Sequence, residues 1–252
     1  MRETPRIMAH MVAFYPDRAA SIEVGRGLVE GGCAYLEVQF PFSEPTADGP
    51  DIQGACSAAL ASGFSVTDGF RLLSELRGLA PVPVFVMSYA NLLFTRGIDA
   101  FLAECAARGA RGVIVPDLPP DYDEGLFSRA ESLGLAAVPV LSPTMKGERL
   151  ARMASLAPEY LYSTLRGGTT GSFTRIDSTS LDFLERIESM AFEGPVKILG
   201  GFGVSTRDQV EALGPRVHAV VVGSAFVREI GKGGNPYRAV KEKMRELVGS
   251  GS

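Results

Sequence analysis

Two carboxylates in one short stretch, Glu37 and Asp48, are the groups of this chain best placed to move protons. They lie in Leu36-Glu37-Val38-Gln39-Phe40-Pro41-Phe42-Ser43-Glu44-Pro45-Thr46-Ala47-Asp48-Gly49-Pro50. Residues 35–40 read as a strand in which Tyr35, Glu37 and Gln39 share one face and Leu36, Val38 and Phe40 the other. A carboxylate inside such a strand is costly when buried, so it must be paired, protonated or used. Pro41 stops the ladder because it has no N–H to donate. Asp48 precedes Gly49 in a turn-like loop that also carries Glu44. One carboxylate therefore sits near a rigid strand end and another hangs on the loop that follows. Two carboxyl groups in different settings can have their pKa values pushed apart, one acting as acid and the other as a fixed negative charge. Taken singly, each also has a plain structural reading: an Asp in a Pro/Gly loop forms turns, and a strand Glu pairs with a cation.

These groups need a scaffold. Apolar runs at 8–14, 34–40, 81–88, 112–115, 136–141, 160–164, 196–199 and 217–222 read as eight strands. Helical segments alternate with them at 18–30, 51–62, 65–79, 99–108, 124–133, 147–156, 180–191, 206–213 and 235–247, with a short helical turn at 225–230. Such alternation implies parallel strands joined by crossover helices. The run Val220-Val221-Val222 fits a strand covered on both faces. The chain has 252 residues, close to the roughly 250 of a (β/α)8 barrel. An open doubly wound sheet would place a Gly-rich turn after its first strand. Phe14-Tyr15-Pro16-Asp17 stands there instead. The prediction is an α/β protein, a single (β/α)8 TIM barrel domain over residues 1–252, with Gly249-Ser250-Gly251-Ser252 as a flexible tail.

Composition narrows the function class. The formal net charge of -4 provides no basic surface for nucleic acid. Cys33, Cys56 and Cys105 are too widely spaced for a disulfide framework or a metal-ligand pattern, and two histidines, His10 and His218, argue against a His-based metal site. No apolar run approaches the roughly 18 residues of a membrane span, and residues 1–7 lack an apolar signal region. A soluble, cytoplasmic protein is expected.

In a barrel of this kind the site is built from the loops that follow the strands, and Glu37 and Asp48 belong to that face. Phosphate sites there often use the last two strand ends and a short helix. This chain has Gly200-Gly201-Phe202-Gly203-Val204-Ser205 after the seventh strand and Gly223-Ser224 after the eighth. Glycines let backbone N–H groups approach an anion, and Ser224 adds a hydroxyl. Either cluster alone is ordinary turn chemistry; both, in the two expected loops, point to phosphate. The polar loop 165–172 reads as a lid bearing Arg166, or as a plain flexible loop. Tyr162 either turns its hydroxyl to the site or packs. Tyr89 and Asn91 are expected to line the pocket, and Asp117 is either a third site carboxylate or a turn former. From the residues alone this is a barrel enzyme for a phosphorylated small molecule, using carboxylate acid–base chemistry without a metal.

The segment Glu37 to Pro50 resembles the signature of the tryptophan synthase alpha chain family. Tyr89-Ala90-Asn91-Leu92, Gly97-Ile98-Asp99-Ala100-Phe101, Gly168-Thr169-Thr170-Gly171, Gly201-Phe202-Gly203-Val204-Ser205 and Gly223-Ser224-Ala225 extend the resemblance over nearly the whole chain. It implies a carbon–carbon lyase that cleaves indole-3-glycerol phosphate to indole and glyceraldehyde 3-phosphate by a retro-aldol reaction. Glu37 falls on the family's general acid–base and Asp48 on the aspartate that hydrogen-bonds the indole N–H. Tyr162 matches the tyrosine near the glutamate. Gly171, Gly203, Gly223 and Ser224 match phosphate-binding positions, and Arg166 matches the lid arginine. The family works with a beta chain that holds pyridoxal phosphate and joins indole to serine. The implied assembly is two alpha and two beta chains, with the loop 43–54 and the lid facing the partner. The alpha chain itself is expected to need no cofactor.

The chain departs from the family pattern at Gln39, where glycine is usual, at Phe14-Tyr15-Pro16 in place of a Gly-Asp-Pro turn, at Glu44 in place of aspartate, and at Thr164-Leu165. A side chain at Gln39 is expected to crowd or rebuild the pocket beside the acid. Two other readings stand beside the lyase. One is a different barrel enzyme for a phosphorylated substrate, which would lack the Glu37-to-Asp48 segment. The other is a weakly active or non-catalytic partner of a beta chain, for which Gln39 is the only sequence hint.

Overall fold

A parallel strand needs a crossover to bring the chain back to its starting end, and the chain supplies helices for this throughout. The computed structural model describes residues 4–79, 81–156, 158–165, 178–192, 194–201 and 203–249. Its strands are β1 (Ile7–Val12), β2 (Tyr35–Gln39), β3 (Val84–Met87), β4 (Gly112–Ile114), β5 (Ala136–Val138), β6 (Val140–Leu141), β7 (Tyr160–Thr164), β8 (Lys197–Gly201) and β9 (Ala219–Val222). Its α-helices are α1 (Arg18–Glu30), α2 (Pro50–Ala61), α3 (Val66–Leu79), α4 (Ala90–Arg96), α5 (Ile98–Ala107), α6 (Leu126–Ser132), α7 (Gly147–Ser155), α8 (Ser178–Glu188), α9 (Arg207–Leu213), α10 (Ser224–Gly231) and α11 (Pro236–Val248).

The strands pair in parallel in the order β5-β4-β3-β2-β1-β9-β8-β7-β6. The two ends of that list, β5 and β6, are separated in the chain only by Pro139, so the sheet curls round into a barrel. The expected fifth strand, 136–141, is thus broken at a residue that has no N–H to donate. The Pro139 carbonyl still accepts from the Tyr162 N–H at 2.9 Å, which continues the ladder to β7.

Alternation along β2 divides the core as the sequence predicts. Leu36, Val38 and Phe40 join the outer core beneath the helices, where Phe40 packs edge-on to Phe70 and Phe101. Tyr35 points inward and meets Phe85 and Tyr160 in edge-to-face contacts at 6.2 Å each. Its hydroxyl lies 2.7 Å from His218 Nε2, at the end of the barrel where the strands begin. Inward residues nearer the strand ends turn polar: Glu37 and Gln39 follow Tyr35 on the same face and are both buried. The barrel is therefore plugged by aromatic rings at one end and polar at the other.

Two expectations need correction. Helix α4 was not foreseen in the residues after the third strand. Its first N–H, on Ala90, donates to Asp117 Oδ1 at 2.9 Å, so its start is fixed by a side chain distant in sequence. Asp117 is thereby a helix anchor. Gly200 and Gly201, expected in an anion-binding loop, are instead the last two residues of β8. A Cβ on Gly201 would lie 2.4 Å from the Val221 carbonyl oxygen, and one on Gly200 2.6 Å from Val217 Cγ1. They are glycines because neighbouring groups fill the space a side chain would need.

Among the described residues no helix is long and apolar enough to cross a membrane. No group of three or more His, Cys, Asp or Glu residues could hold a metal ion there either. The three cysteines are buried thiols.

Overpacking at β8 gives a direct test. Gly201→Ala should lower stability by about 1–3 kcal/mol, the usual cost of forcing atoms into a filled core. Gly54→Ala, inside α2 with nothing within 4 Å of the added Cβ, should raise it by up to about 1 kcal/mol, the helix-propensity gain. Chemical denaturation of the two variants beside wild type distinguishes the signs.

Candidate active site

Strand register brings the first two site groups together. Glu37 on β2 pairs in register with His10 on β1 and Phe85 on β3. Glu37 is 2% exposed, and its Oε1 lies 3.3 Å from His10 Nδ1. Glu37 Oε2 and His10 Nε2 are buried and have no hydrogen-bond partner among the described residues. Both residues line a cavity of about 250 Å³ at the mouth formed by the strand ends. Burial lowers the His10 pKa, but the charge and hydrogen bond of Glu37 and the charge of Asp48 outweigh it, so the imidazole holds its proton above the ordinary 6.5.

Asp48 reaches the same cavity from the loop between β2 and α2. Its Oδ2 accepts from Gln39 Nε2 at 2.7 Å and from the Tyr89 hydroxyl at 2.7 Å. The same tyrosine oxygen accepts from the Ala47 N–H at 3.1 Å, and its ring stacks on Phe42. From α2, Gln53 donates to the Asp48 carbonyl at 2.8 Å. Two strand ends and a helix thus fix the position of one loop carboxylate. Burial raises the Asp48 pKa, while the His10 charge and the Tyr89 and Gln39 hydrogen bonds pull it back; the Glu37 charge adds to the rise. Tyr162, on β7, also lines the cavity. Burial and the charges of Glu37 and Asp48 push its hydroxyl well above the ordinary phenol range, so it remains protonated.

The far side of the cavity is built from the last two strand ends. Gly203, with φ at +74°, lies just past β8, and Gly223 and Ser224 lie at the start of α10; all three line the cavity. Gly223 leaves room for His10: a Cβ there would sit 3.0 Å from the imidazole Cδ2. Ile52, Met87, Ile114, Val140 and Val221 add apolar walls. An ion pair at 2.6 Å between Arg228 on α10 and Asp51 on α2 ties the helix beside Ser224 to the helix that follows Asp48.

Of the residues expected from sequence, Glu37, Asp48, Tyr162, Gly203, Gly223 and Ser224 converge on this one cavity. Gly171, Arg166 and all of the lid after Leu165 lie outside the described residues. Asn91 is exposed rather than pocket-lining. Tyr89 lies behind the wall and holds Asp48. Gln39 likewise is not in the wall; its side chain is turned to Asp48, so it rebuilds the support of the acid loop without filling the cavity. His10 was passed over as anything but a missing metal ligand. Its signal was the period of two along β1, which puts it on the same face as Met8, a residue of the barrel interior.

Comparison with known proteins decides what this cavity belongs to. The family model for the tryptophan synthase alpha chain matches residues 2–250. This chain belongs to the tryptophan synthase alpha chain family. A tryptophan synthase alpha chain of Helicobacter hepaticus is 37% identical over 232 residues, 90% of this chain and 86% of that one. One from Syntrophotalea carbinolica is 35% identical over 241 residues, covering 96% and 93%. Among solved structures, the tryptophan synthase A-subunit of Pyrococcus furiosus superposes with a TM-score of 0.88 at 30% identity, covering 99% of this chain and 100% of that one. A tryptophan synthase structure from Mycobacterium tuberculosis gives 0.88 at 29%, covering 98% and 92%.

The two donors on Asp48 are open to removal. Gln39→Leu or Tyr89→Phe should each destabilise the fold at neutral pH by about 1.5–3 kcal/mol, the range for a hydrogen bond to a charged group, and each should raise the Asp48 pKa further. Denaturant titration and carboxyl NMR check the two effects.

His10 predicts a pH dependence. Its folded pKa lies above its unfolded value near 6.5, so the stability it contributes is complete below about pH 6.5 and fades as pH rises through the folded value. The excess in thermal midpoint of wild type over His10→Gln should therefore shrink between about pH 6 and about pH 9. A gap that widens over that range contradicts the assignment.

Proposed function

We propose that this chain is the alpha subunit of a tryptophan synthase and cleaves indole-3-glycerol phosphate to indole and glyceraldehyde 3-phosphate, with Glu37 and Asp48 as its catalytic groups. The observation that carries this reading is the convergence of a buried, half-unpartnered Glu37 and a firmly held Asp48 on one cavity whose other side is Gly203, Gly223 and Ser224.

The substrate phosphate fits against Gly203, Gly223 and Ser224, where backbone N–H groups and the positive end of α10 favour an anion. The indole ring takes the apolar walls. The bond between ring and glycerol chain breaks only after the ring carbon gains a proton, which places positive charge on the ring nitrogen. Glu37 delivers that proton through Oε2, the carboxylate oxygen that His10 leaves open. Asp48 accepts the indole N–H and stabilises the developing charge, and its supports keep it in place before substrate arrives. The hydroxyl next to the breaking bond loses its proton as the aldehyde forms. The phosphate is remote from the reacting bond, so its binding energy holds the ring in register with the acid. Tyr162, kept as a phenol, offers a hydrogen-bond donor beside the carboxylates.

Indole would pass to a beta chain, which in this reading carries the pyridoxal phosphate; the loop 43–54 and the lid after β7 are the surfaces assigned to it. The non-catalytic reading rested on Gln39 alone, and the direction of its side chain gives that reading no support.

Indole release from indole-3-glycerol phosphate, measured for wild type, Glu37→Gln and Asp48→Asn with and without a beta chain, tests the assignment. Wild type should release indole, and faster with the beta chain. Glu37→Gln should lose about 10²–10⁴-fold in kcat, the usual worth of general acid–base catalysis. Asp48→Asn should lose about 10²–10³-fold, the worth of one electrostatic contact to developing charge. No release by wild type under either condition would overturn the proposal.

A further inference from the structure

Retro-aldol cleavage moves two protons at two places. One goes to the ring carbon, and one leaves the hydroxyl on the neighbouring carbon. A single carboxyl group doing both has to reach both. In this chain Glu37 is not free to do so, because Oε1 is occupied by His10 Nδ1 at 3.3 Å and only Oε2 is unpartnered. The second unpartnered buried atom of the pair is His10 Nε2. A histidine serving only to neutralise a strand glutamate would be expected to find a partner for its other nitrogen as well, since an unmet buried polar atom costs stability.

The strand order gives His10 a specific place. The sheet runs β2-β1-β9, so His10 stands between Glu37 on β2 and Gly223 just after β9. The near-contact a Cβ at Gly223 would make with the imidazole confirms how closely the ring approaches the phosphate end. The three-carbon chain that joins the indole ring to the phosphate has to cross that interval.

We propose that His10 is a second catalytic base of this site, its Nε2 taking the proton of the substrate hydroxyl while Glu37 delivers one to the ring carbon. The assignment rests on the lyase reading above. The resting pair is imidazolium and carboxylate; the reacting form is its isomer of equal charge, in which the Nε2 proton has moved to Glu37 Oε2 and neutral His10 still donates its Nδ1–H to Oε1. The Oε2 proton bonds to the ring carbon through the ring π pair, leaving positive charge on the nitrogen beside Asp48. The hydroxyl proton passes to Nε2, and the O–H pair becomes the second bond of the aldehyde. The pair of the broken carbon–carbon bond stays with the ring and restores its aromaticity. Glu37 ends as carboxylate and His10 as imidazolium, so the net charge of the pair is unchanged and no further reactant is needed. Water entering as product leaves returns the proton from Nε2 to Glu37. Among the described residues, the charged and titratable groups lining the cavity with His10 are Glu37, Asp48 and Tyr162; the two carboxylates favour the imidazolium this step creates.

The test uses the complex with a beta chain and two variants, His10→Phe, which fills the space, and His10→Gln, which keeps an amide but cannot accept a proton. The expected result is a fall in kcat of about a hundredfold or more, the lower range for loss of a general base, with KM little changed and one ionisation missing from the pH profile of kcat. His10→Gln should not rescue it. A thermal melt establishes which variants fold, and His10→Gln decides the matter if His10→Phe does not. A folded variant with kcat near wild type, or with kcat reduced and the pH profile unaltered, overturns the role of His10 and leaves the lyase intact. Wild type that releases no indole overturns the lyase reading and this role with it.

Discussion

Burial of two carboxylates at the mouth of one barrel is the constraint on which the rest of the site depends. Both are almost wholly withdrawn from bulk water, so the fold brings partners to Asp48 and to one oxygen of Glu37. For Glu37 the partner comes from the adjacent strand, fixed by backbone register: His10 is opposite Glu37 because β1 and β2 pair as they do. For Asp48 the partners come from farther away, with Gln39 at the end of β2 and Tyr89 just past β3. A slip of one residue in either strand pair would turn these side chains out among the helices. The hydrogen-bonded ladder and the apolar faces that set it are therefore also what place the acids.

The same economy shapes the opposite side of the cavity. The chain closes its barrel through β9 beside β1, so the loop before α10 necessarily lies next to the strand that bears His10. Gly223 answers two demands at once, leaving space for the imidazole and beginning the helix whose N-terminus faces the cavity. The Arg228–Asp51 ion pair then joins that helix to the one following the acid loop. It is partly exposed, and its worth in stability is small on that account. Its role is geometric, holding two helices that start on either side of the site.

How much of this was legible in the sequence follows from how local each determinant is. Helix α1 and strand β7 were legible to the residue, and the face assignment along β2 held, because period, glycine stops and strand alternation are local signals. Helix α4 was not, since its first N–H is met by Asp117 from another loop and nothing near Ala90 announces it. Gly200 and Gly201 looked like loop glycines, yet the reason for them is the approach of Val217 and Val221, which only the packed strands reveal. The fifth strand held a visible proline, but whether Pro139 ends a strand or is absorbed by it depends on the partner at β7. That Glu37 and Asp48 would share one cavity was readable from their setting, and that Tyr162, Gly203, Gly223 and Ser224 would line it from their places in the barrel. The support from Tyr89 and the contact of His10 with Glu37 were not, because each joins separate strands.

Electrostatics gives the arrangement its logic. The cavity has two carboxylates among its described walls, and the substrate assigned to it carries a phosphate. Left alone, these negative charges would repel the ligand and each other. Three features counter that. In the proposed pose the helix N-terminus at Ser224 would meet the phosphate with backbone dipoles rather than a mobile cation. Gln39 and Tyr89 spread the Asp48 charge over two donors. His10, the one cationic side chain among the described wall residues, stands between the acid and the phosphate end. A proton on that imidazole attracts the ligand, and a proton missing from it leaves a base beside the bond that breaks. The group that eases entry of an anion is thus the same group whose loss of a proton readies the chemistry, and both properties come from placing one histidine opposite one glutamate in a parallel ladder.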